Sequence, residues 1–511
     1  MSVKTHEIAP PSPREVRIVI VGLMMALALA SLDQNIVAVA LPQIVSDLGG
    51  LHHLSWVVTS FLVTSTATTP LYGKLSDMYG RKPLFVAAIV IFLIGSCLCG
   101  LAHSMIELVV YRGIQGLGAG GLIVLAQTTI ADLVVPRERG RYQGLFGAVF
   151  AFSSVAGPLL GGFITSVLSW RWIFYVNVPV GIPALAMIVF GFRRPFHRVS
   201  HHVDYAAVAL LTSATVSLLL VMSWGGVQYP WSSPLILSLA AASVVLTALL
   251  IRTERRSEEP VLSPHIFHNR TVVIASGVMS LAFMGLFGAF VFLPLFFQLV
   301  LGMDPAKAGL LLAPMTGGLI VASTLGGRIV SRTGRYKLLT VLGLGASTAS
   351  FIAVMLAATF GHSIGVIEAG LICLGLGFGM VMPNLVVAIQ NAVGARELGA
   401  ATATAAFFRQ LGGTFGVAMS GAIMTAALQG VQTGTWAIAG GGRNLLEQSL
   451  QQIAALPAAE REIVKNAYRH AISTTFLVGS VIIALAFVLV FFLPERPLRS
   501  AQGEEGKGKV L

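Results

Sequence analysis

Four ionisable side chains stand where a charge is costly. Asp33, Arg112 and Arg409 fall inside long apolar runs, and Glu368 lies a short way into another. Ionisable groups are rare at the centre of a membrane-spanning helix, and by default they mark a functional path. Asp33 follows Arg17 by about 16 residues, whereas Arg112 stands about 7 residues into a run entered from the opposite face. At 1.5 Å per residue the two reach similar depth. A carboxylate beside a guanidinium in a dry site can take up and release a proton, because burial and the cation act on it in opposite senses. Arg409 lies about 12 residues into its run, near the middle. Glu368 and Glu107 are shallower, and an interfacial place explains them equally well. Proton exchange is expected of Asp33, Arg112, Glu368 and Arg409, with Asp33 foremost. The competing reading is a structural Asp33–Arg112 pair.

A second cluster lies in the polar hinge Gly73-Lys-Leu-Ser-Asp-Met-Tyr-Gly-Arg-Lys-Pro83. Its glycines and proline suit a turn, and Asp77, Arg81 and Lys82 require water at a membrane face. The stretch Gly327-Arg-Ile-Val-Ser-Arg-Thr-Gly-Arg335 repeats it more weakly: Gly73 matches Gly327, Gly80 matches Gly334 and Arg81 matches Arg335, but Ser331 replaces Asp77. Gly116-x-Gly118-x-x-Gly121 has the spacing of a dinucleotide fingerprint, yet it lies inside an apolar run with no strand before it. Close helix packing explains these glycines better. No phosphate-binding loop of the Gly-x4-Gly-Lys-Ser/Thr kind is present. Cys97, Cys99 and Cys373 lack metal-ligand spacing and read as small core residues. His52, His53 and the Arg193–His202 patch read as solvated loop residues. Neither a metal nor a cofactor is expected.

The elements that must position these groups are membrane helices. Of the 511 residues 55% are hydrophobic and 11% charged, far from the quarter charged that is usual for soluble chains. The mean hydropathy is +0.83. Apolar periodicity predicts helices near 18–42, 54–73, 83–102, 105–128, 140–166, 171–192, 205–223, 234–251, 271–300, 306–326, 337–359, 364–391, 398–427 and 471–493. With both termini inside, 25 of the 33 Lys and Arg fall in inner segments and 6 in outer ones, leaving Arg112 and Arg409 within helices. This asymmetry satisfies the positive-inside rule. It also explains the net charge of +12 without nucleic acid. All six tryptophans fall on or near the outer side.

The first six and last six helices form a parallel repeat, since Pro136-Arg-Glu-Arg-Gly140 aligns with Ala395-Arg-Glu-Leu-Gly399. The expected organisation is an inner tail at 1–17, a six-helix half at 18–200, a two-helix insertion at 201–260, a second half at 261–495 and an inner tail at 496–511. The second half includes an outer loop near 428–470. The first dozen residues and the Gly503–Lys509 stretch read as disordered.

The hinge, together with Arg112-Gly-Ile-Gln-Gly-Leu-Gly-Ala-Gly-Gly121 and Gly157-Pro-Leu-Leu-Gly-Gly162, resembles the major facilitator superfamily. Leu32-Asp-Gln-Asn-Ile-Val-Ala-Val-Ala-Leu-Pro42, Trp170-Arg-Trp-Ile-Phe-Tyr-Val-Asn-Val-Pro-Val-Gly181 and Phe408-Arg-Gln-Leu-Gly-Gly413 are similar to its fourteen-helix drug:proton antiporters. Gln34-Asn35 departs from the hydroxyl residue commoner in that pattern. The resemblance implies an all-α fold of 6+2+6 transmembrane helices and no enzyme. It implies a proton-driven exporter of amphipathic small molecules, cationic drugs among them, in a bacterial inner membrane. A conformational gate is implied at Gly73, Asp77, Gly80, Arg81 and Lys82, and an antiport motif at Gly157, Pro158, Gly161 and Gly162. Gln34, Asn35, Gln115, Asn177, Gln298 and Asn384 are the candidate substrate contacts. The expected partners are substrate, protons and the lipid bilayer, with a periplasmic or outer-membrane efflux partner left open. Export of one metabolite, siderophore or lipid is the alternative; a membrane-embedded enzyme or a sensor is a more distant one.

Overall fold

The computed structural model describes residues 13–48, 54–191, 204–226, 229–257, 264–290, 292–303, 307, 310–360, 364–394, 397–433 and 457–498. His52, His53, the Arg193–His202 patch, Gly440–Gly442 of the outer loop and the Gly503–Lys509 tail lie outside them. Fourteen helices of 15 residues or more are present among the described residues. They are α1 (Pro13–Leu48), α2 (Leu54–Tyr79), α3 (Arg81–Gly100), α4 (Met105–Leu133), α5 (Pro136–Val167), α6 (Asn177–Gly191), α7 (Tyr205–Trp224), α8 (Pro234–Glu254), α9 (Arg270–Phe290), α10 (Ala313–Thr333), α11 (Lys337–Phe360), α12 (Ile364–Ala392), α13 (Leu398–Thr433) and α14 (Ala458–Val490). Eleven spans are long and apolar enough to cross a membrane. The remaining three helices, α2, α10 and α13, are rich in Gly, Ser and Thr and pack between the two halves. No β-strand is formed among the described residues.

Four helices depart from the sequence expectation, each for a local reason. The helix expected at 306–326 is broken by a turn at Leu311 and Leu312 and runs on as Ala313–Thr333, with Pro314 in its first turn, where a missing N–H is harmless. The helix expected at 171–192 is broken: a short turn, Trp172–Tyr175, precedes α6. Pro179 offers no N–H to the carbonyl of Tyr175, so the ladder is interrupted just where Asn177 enters. The helix expected at 271–300 ends at Phe290 and resumes as Leu293–Leu295, followed by a π-helical turn at Phe296–Val300. Helix α14 also begins at Ala458 rather than near 471. Its added turns carry Arg461, Lys465 and Arg469, too polar to be read as part of a span.

Helices α1–α6 and α9–α14 enclose separate apolar cores, one around Leu23, Phe85 and Phe92, the other around Phe297, Phe351 and Phe378. The inserted pair lies outside both. Leu219 of α7 packs with Val63 of α2 and with Phe407 and Leu411 of α13, so it covers the seam from the periphery. Trp224 meets Trp56 edge-on at 4.5 Å, and Ser223 bonds Thr59 at 3.0 Å. Helix α8 packs behind α7 and leaves Leu237, Val244, Val245 and Leu249 exposed. Cys97 is half-buried and Cys99 buried, but Cys373 is exposed on α12 rather than in a core.

Candidate functional site

Asp33 is wholly enclosed by its own half. One carboxylate oxygen accepts from Arg112 Nη1 at 2.6 Å; the other accepts from Gln115 Nε2 and Asn177 Nδ2, both at 2.8 Å. These groups come from α1, α4 and the start of α6, and the helical break before Asn177 is what turns its amide inward. Asn177 also donates to Ser96 Oγ of α3 at 2.9 Å. Its own Oδ1 is left without a hydrogen bond. Gln115 lies one turn from Arg112 and accepts from its Nη1 at 2.7 Å. The guanidinium is further held by the Val57 carbonyl at 3.3 Å and lies over the Phe61 ring, 4.1 Å from its centre. Asp33, Arg112, Gln115 and Asn177 are each 0–1% exposed. Such a pair persists in a dry interior only when the remaining lone pairs and donors are also satisfied, as most are here. Ser96 and Phe61 escaped sequence reasoning, because a serine or phenylalanine in an apolar run carries no signal of its own.

Helix α5 holds α1 at this position. A methyl on Gly157 would come within 2.4 Å of Asn35 Cβ, and one on Gly161 within 3.0 Å of the Ile36 carbonyl. Gly162 has open space beside it and Pro158 is exposed, so the four motif residues divide into two that pack against α1 and two that do not. Asn35 turns its amide to the Ser31 carbonyl, 2.7 Å away.

The two halves interlock at the end that carries the positive residues. Gly73 of α2 crosses Gly399 of α13, and Gly327 of α10 crosses Gly140 of α5. These are the residues that the repeat pairs. A methyl on Gly73 would lie 2.7 Å from the Gly399 carbonyl, and one on Gly327 only 2.0 Å from the Gly140 carbonyl. The turn glycines Gly80 and Gly334 match as well, with φ of 94° and 71°. The polar decoration is not matched. Asp77 accepts from the Gly399 and Ala400 N–H groups at 3.1 and 2.9 Å, at the start of α13. Arg81 bridges Asp77 at 2.6 Å and Asp132 at 2.7 Å and also bonds Ser76. Lys82 is half-buried beside it. In the second half Arg335 is exposed and Ser331 turns back to the Gly327 carbonyl at 2.9 Å. Asp132 was the missing member of this network; its place at the inner end of α4, level with Arg81, was the available signal.

The other candidates are dispersed. Gln34 is exposed and shares a pocket with Arg409, Ser65, Thr69 and Gln410. No hydrogen bond or ion pair joins Arg409 to Asp33 or Arg112 among the described residues. Glu368 is half-buried in the second turn of α12 and Gln298 half-buried on the π-helical turn. Asn384 is buried, donates to the Met380 carbonyl at 2.6 Å and leaves its Oδ1 unbonded. The glycines of α4 act in packing: methyls on Gly116 and Gly118 would each lie 2.5 Å from a backbone carbonyl, of Phe61 and Ala88 respectively.

The model of the Major Facilitator Superfamily matches residues 23–417. The chain is 33% identical to the multidrug transporter protein MdtP of Bacillus subtilis over 518 residues, 96% of this chain and 95% of that protein. It is 34% identical to multidrug resistance protein 3 of the same organism over 490 residues, 93% and 95% of the two chains. Among solved structures it resembles the proton:xylose symporter XylE, with a TM-score of 0.63 at 16% identity over 96% of this chain and 99% of that one. The human organic anion transporter MFSD10 is similar to the same degree, TM-score 0.63 at 16% identity over 94% and 100%. The chain belongs to the major facilitator superfamily and has its fold, that of a multi-pass membrane transporter.

Proposed function

We propose that this transporter is a proton-driven exporter of amphipathic small molecules, working by alternating access in a bacterial inner membrane. The observation that carries the reading is the enclosed Asp33 carboxylate, held by Arg112, Gln115 and Asn177 with its neighbour Gln34 exposed to the pocket. A proton taken up by Asp33 would weaken its bond to Arg112 and free α1, which α5 grips through Gly157, to shift relative to the pocket. The likeness to two named multidrug proteins over nearly their whole length supports efflux as the direction. An extracytoplasmic or outer-membrane partner is part of the proposal only as an open connection for the exported cargo.

The test is substrate-dependent proton movement in proteoliposomes. Asp33→Asn preserves size and hydrogen bonding but cannot ionise, so coupled efflux is expected to fall at least a hundredfold while expression and insertion stay normal. Energy-independent exchange of a neutral substrate survives on this reading. Full, pH-dependent efflux by Asp33→Asn overturns it. Recovery of transport in the double swap Asp33→Arg with Arg112→Asp would instead assign the pair a purely structural role.

A further inference from the structure

Among the described residues the guanidinium of Arg409 lies between the halves without a counter-ion. Arg409 stands 11 residues beyond Leu398, the first residue of α13, hence about 17 Å along the helix. Among the described residues it makes no ion pair and no hydrogen bond. Its guanidinium carbon lies 5.3 Å from the centre of the Phe283 ring, which stacks on Phe287 at 5.4 Å. Asp33, the acid at comparable depth, is already saturated by three donors inside the first half. Counting from the matched Gly140 and Gly399, the position of Arg409 in the first half is Phe150. The repeat therefore does not require this charge, and the fold offers it no mirror-image acid.

A small pocket between the halves contains Arg409. Gln34, Ser65, Thr69 and Gln410 supply polar atoms, and Ile123 and Val124 supply an apolar wall. Most of these polar atoms are occupied: Thr69 donates to the Ser65 carbonyl at 2.8 Å, Ser65 to Leu62 at 3.1 Å, and Gln410 Nε2 to Ser65 Oγ at 3.4 Å. Arg409 and the exposed Gln34 amide remain to meet a guest. Arg409 is half-buried; a cation in such a place gains little from water, whereas a charge-assisted or bidentate bond to an oxyanion is among the strongest that a guanidinium forms. A cationic guest would face an uncompensated like charge at low dielectric. We propose that the pocket is an oxyanion subsite, and that the cargo is an amphipathic organic acid whose carboxylate, sulfonate or phenolate pairs with Arg409. Its apolar body then lies along Phe283 and the α4 wall. This replaces the expectation of cationic cargo. It rests on the exporter reading for the direction of transport but not for binding.

The test uses two probes that differ by one sulfonate, 8-anilinonaphthalene-1-sulfonate and N-phenyl-1-naphthylamine, with ethidium as the cation. Each is titrated against the full-length protein in nanodiscs, with empty nanodiscs subtracted. Wild type is expected to bind the sulfonate at least tenfold more tightly than the neutral amine, and ethidium more weakly than either. Arg409→Gln should weaken the sulfonate at least tenfold and change the amine by less than twofold, while Arg409→Lys retains most of the preference. Equal binding of sulfonate and amine by wild type overturns the proposal whether or not any variant folds. So does an unchanged preference in Arg409→Gln, or tighter binding of ethidium. The two readings fail separately. Proton-driven efflux of the neutral amine without an anion preference sinks the subsite alone. An Arg409-dependent preference without proton-driven efflux of any probe sinks the exporter and leaves the subsite standing.

Discussion

Asp77 and Asp47 show how differently two carboxylates serve at opposite faces. Asp77 joins α2 to α13 at the inner end by accepting two N–H groups at the start of α13, where unpaired donors and the helix dipole favour a negative charge. Charge-assisted bonds of this kind contribute about 1.5–3 kcal/mol each. Asp77→Asn keeps the shape but loses the charge, and should shift the inner gate at least tenfold toward opening. Spin labels across the α2–α13 crossing would show the added distance, and turnover in proteoliposomes would fall although insertion is unchanged. Wild-type distances and turnover in a well-folded variant would remove Asp77 from the gate. At the outer face Asp47 accepts from Trp170 Nε1 at 2.9 Å and Arg171 Nη1 at 2.8 Å. Those bonds, that of Trp170 first, hold its carboxyl below the usual carboxylate value of 3.8. A depressed pKa places the stabilisation above the unfolded value and removes it as pH falls through the folded one. The α1–Trp170 contact should be indifferent to pH from 5 to 8 and loosen only below about 4. Fluorescence of Trp170, with the other tryptophans replaced, checks this; a transition near neutrality would be incompatible with it.

Among the elements, α5 is the clearest case of what a sequence can and cannot disclose. Gly157, Pro158, Gly161 and Gly162 are legible as a packing motif because small residues at helical spacing let backbones approach. Which of them bears the contact depends on the rotation of α5 against α1, and that is a tertiary property. A methyl on Gly157 would lie 2.4 Å from Asn35 Cβ, whereas one on Gly162 would meet nothing. Gly157→Ala should therefore cost about 1–3 kcal/mol in overpacking and slow efflux, since α1 carries Asp33. Gly162→Ala should match wild type in thermal stability and rate. Equal behaviour of the two variants would show that α1 is not gripped at this point. The break before α6 was hidden for a related reason. Pro179 signals a weakened ladder, but only the placement of α1 and α4 reveals that Asn177 completes the Asp33 shell. The depth arithmetic that brought Asp33 and Arg112 to one level used only helical rise, and the observed pair at 2.6 Å lies at that level.

At the scale of the whole molecule, the repeat was legible where backbone geometry demands glycine and illegible where charge breaks the symmetry. Gly73 with Gly399 and Gly327 with Gly140 form two like crossings, yet only the first half carries the Asp77–Arg81–Asp132 network, and only the second carries Arg409. The proposed functions follow this division: the proton-carrying acid in one half, the oxyanion-binding arginine in the other. That division has a consequence for energetics. If one proton enters for each monoanion that leaves, two positive-charge equivalents move inward per cycle. Each is driven by roughly 2.3 kcal/mol per 100 mV, so the potential alone supplies about 4.6 kcal/mol. That sustains an exported gradient on the order of 10³. Exchange of a proton for a monocation would move no net charge and gain nothing from the potential. In proteoliposomes with the potential clamped by potassium and valinomycin, efflux of 8-anilinonaphthalene-1-sulfonate should accelerate as the lumen corresponding to the cytoplasm is made negative. A current carrying positive charge toward that side should accompany it. Arg409→Gln should abolish the sulfonate-dependent current, and Asp33→Asn should abolish its dependence on a pH gradient. Efflux that ignores the potential at fixed pH would mean that no net charge moves, the cargo leaving neutral and without proton entry, and that the two halves do not divide the charges in this way.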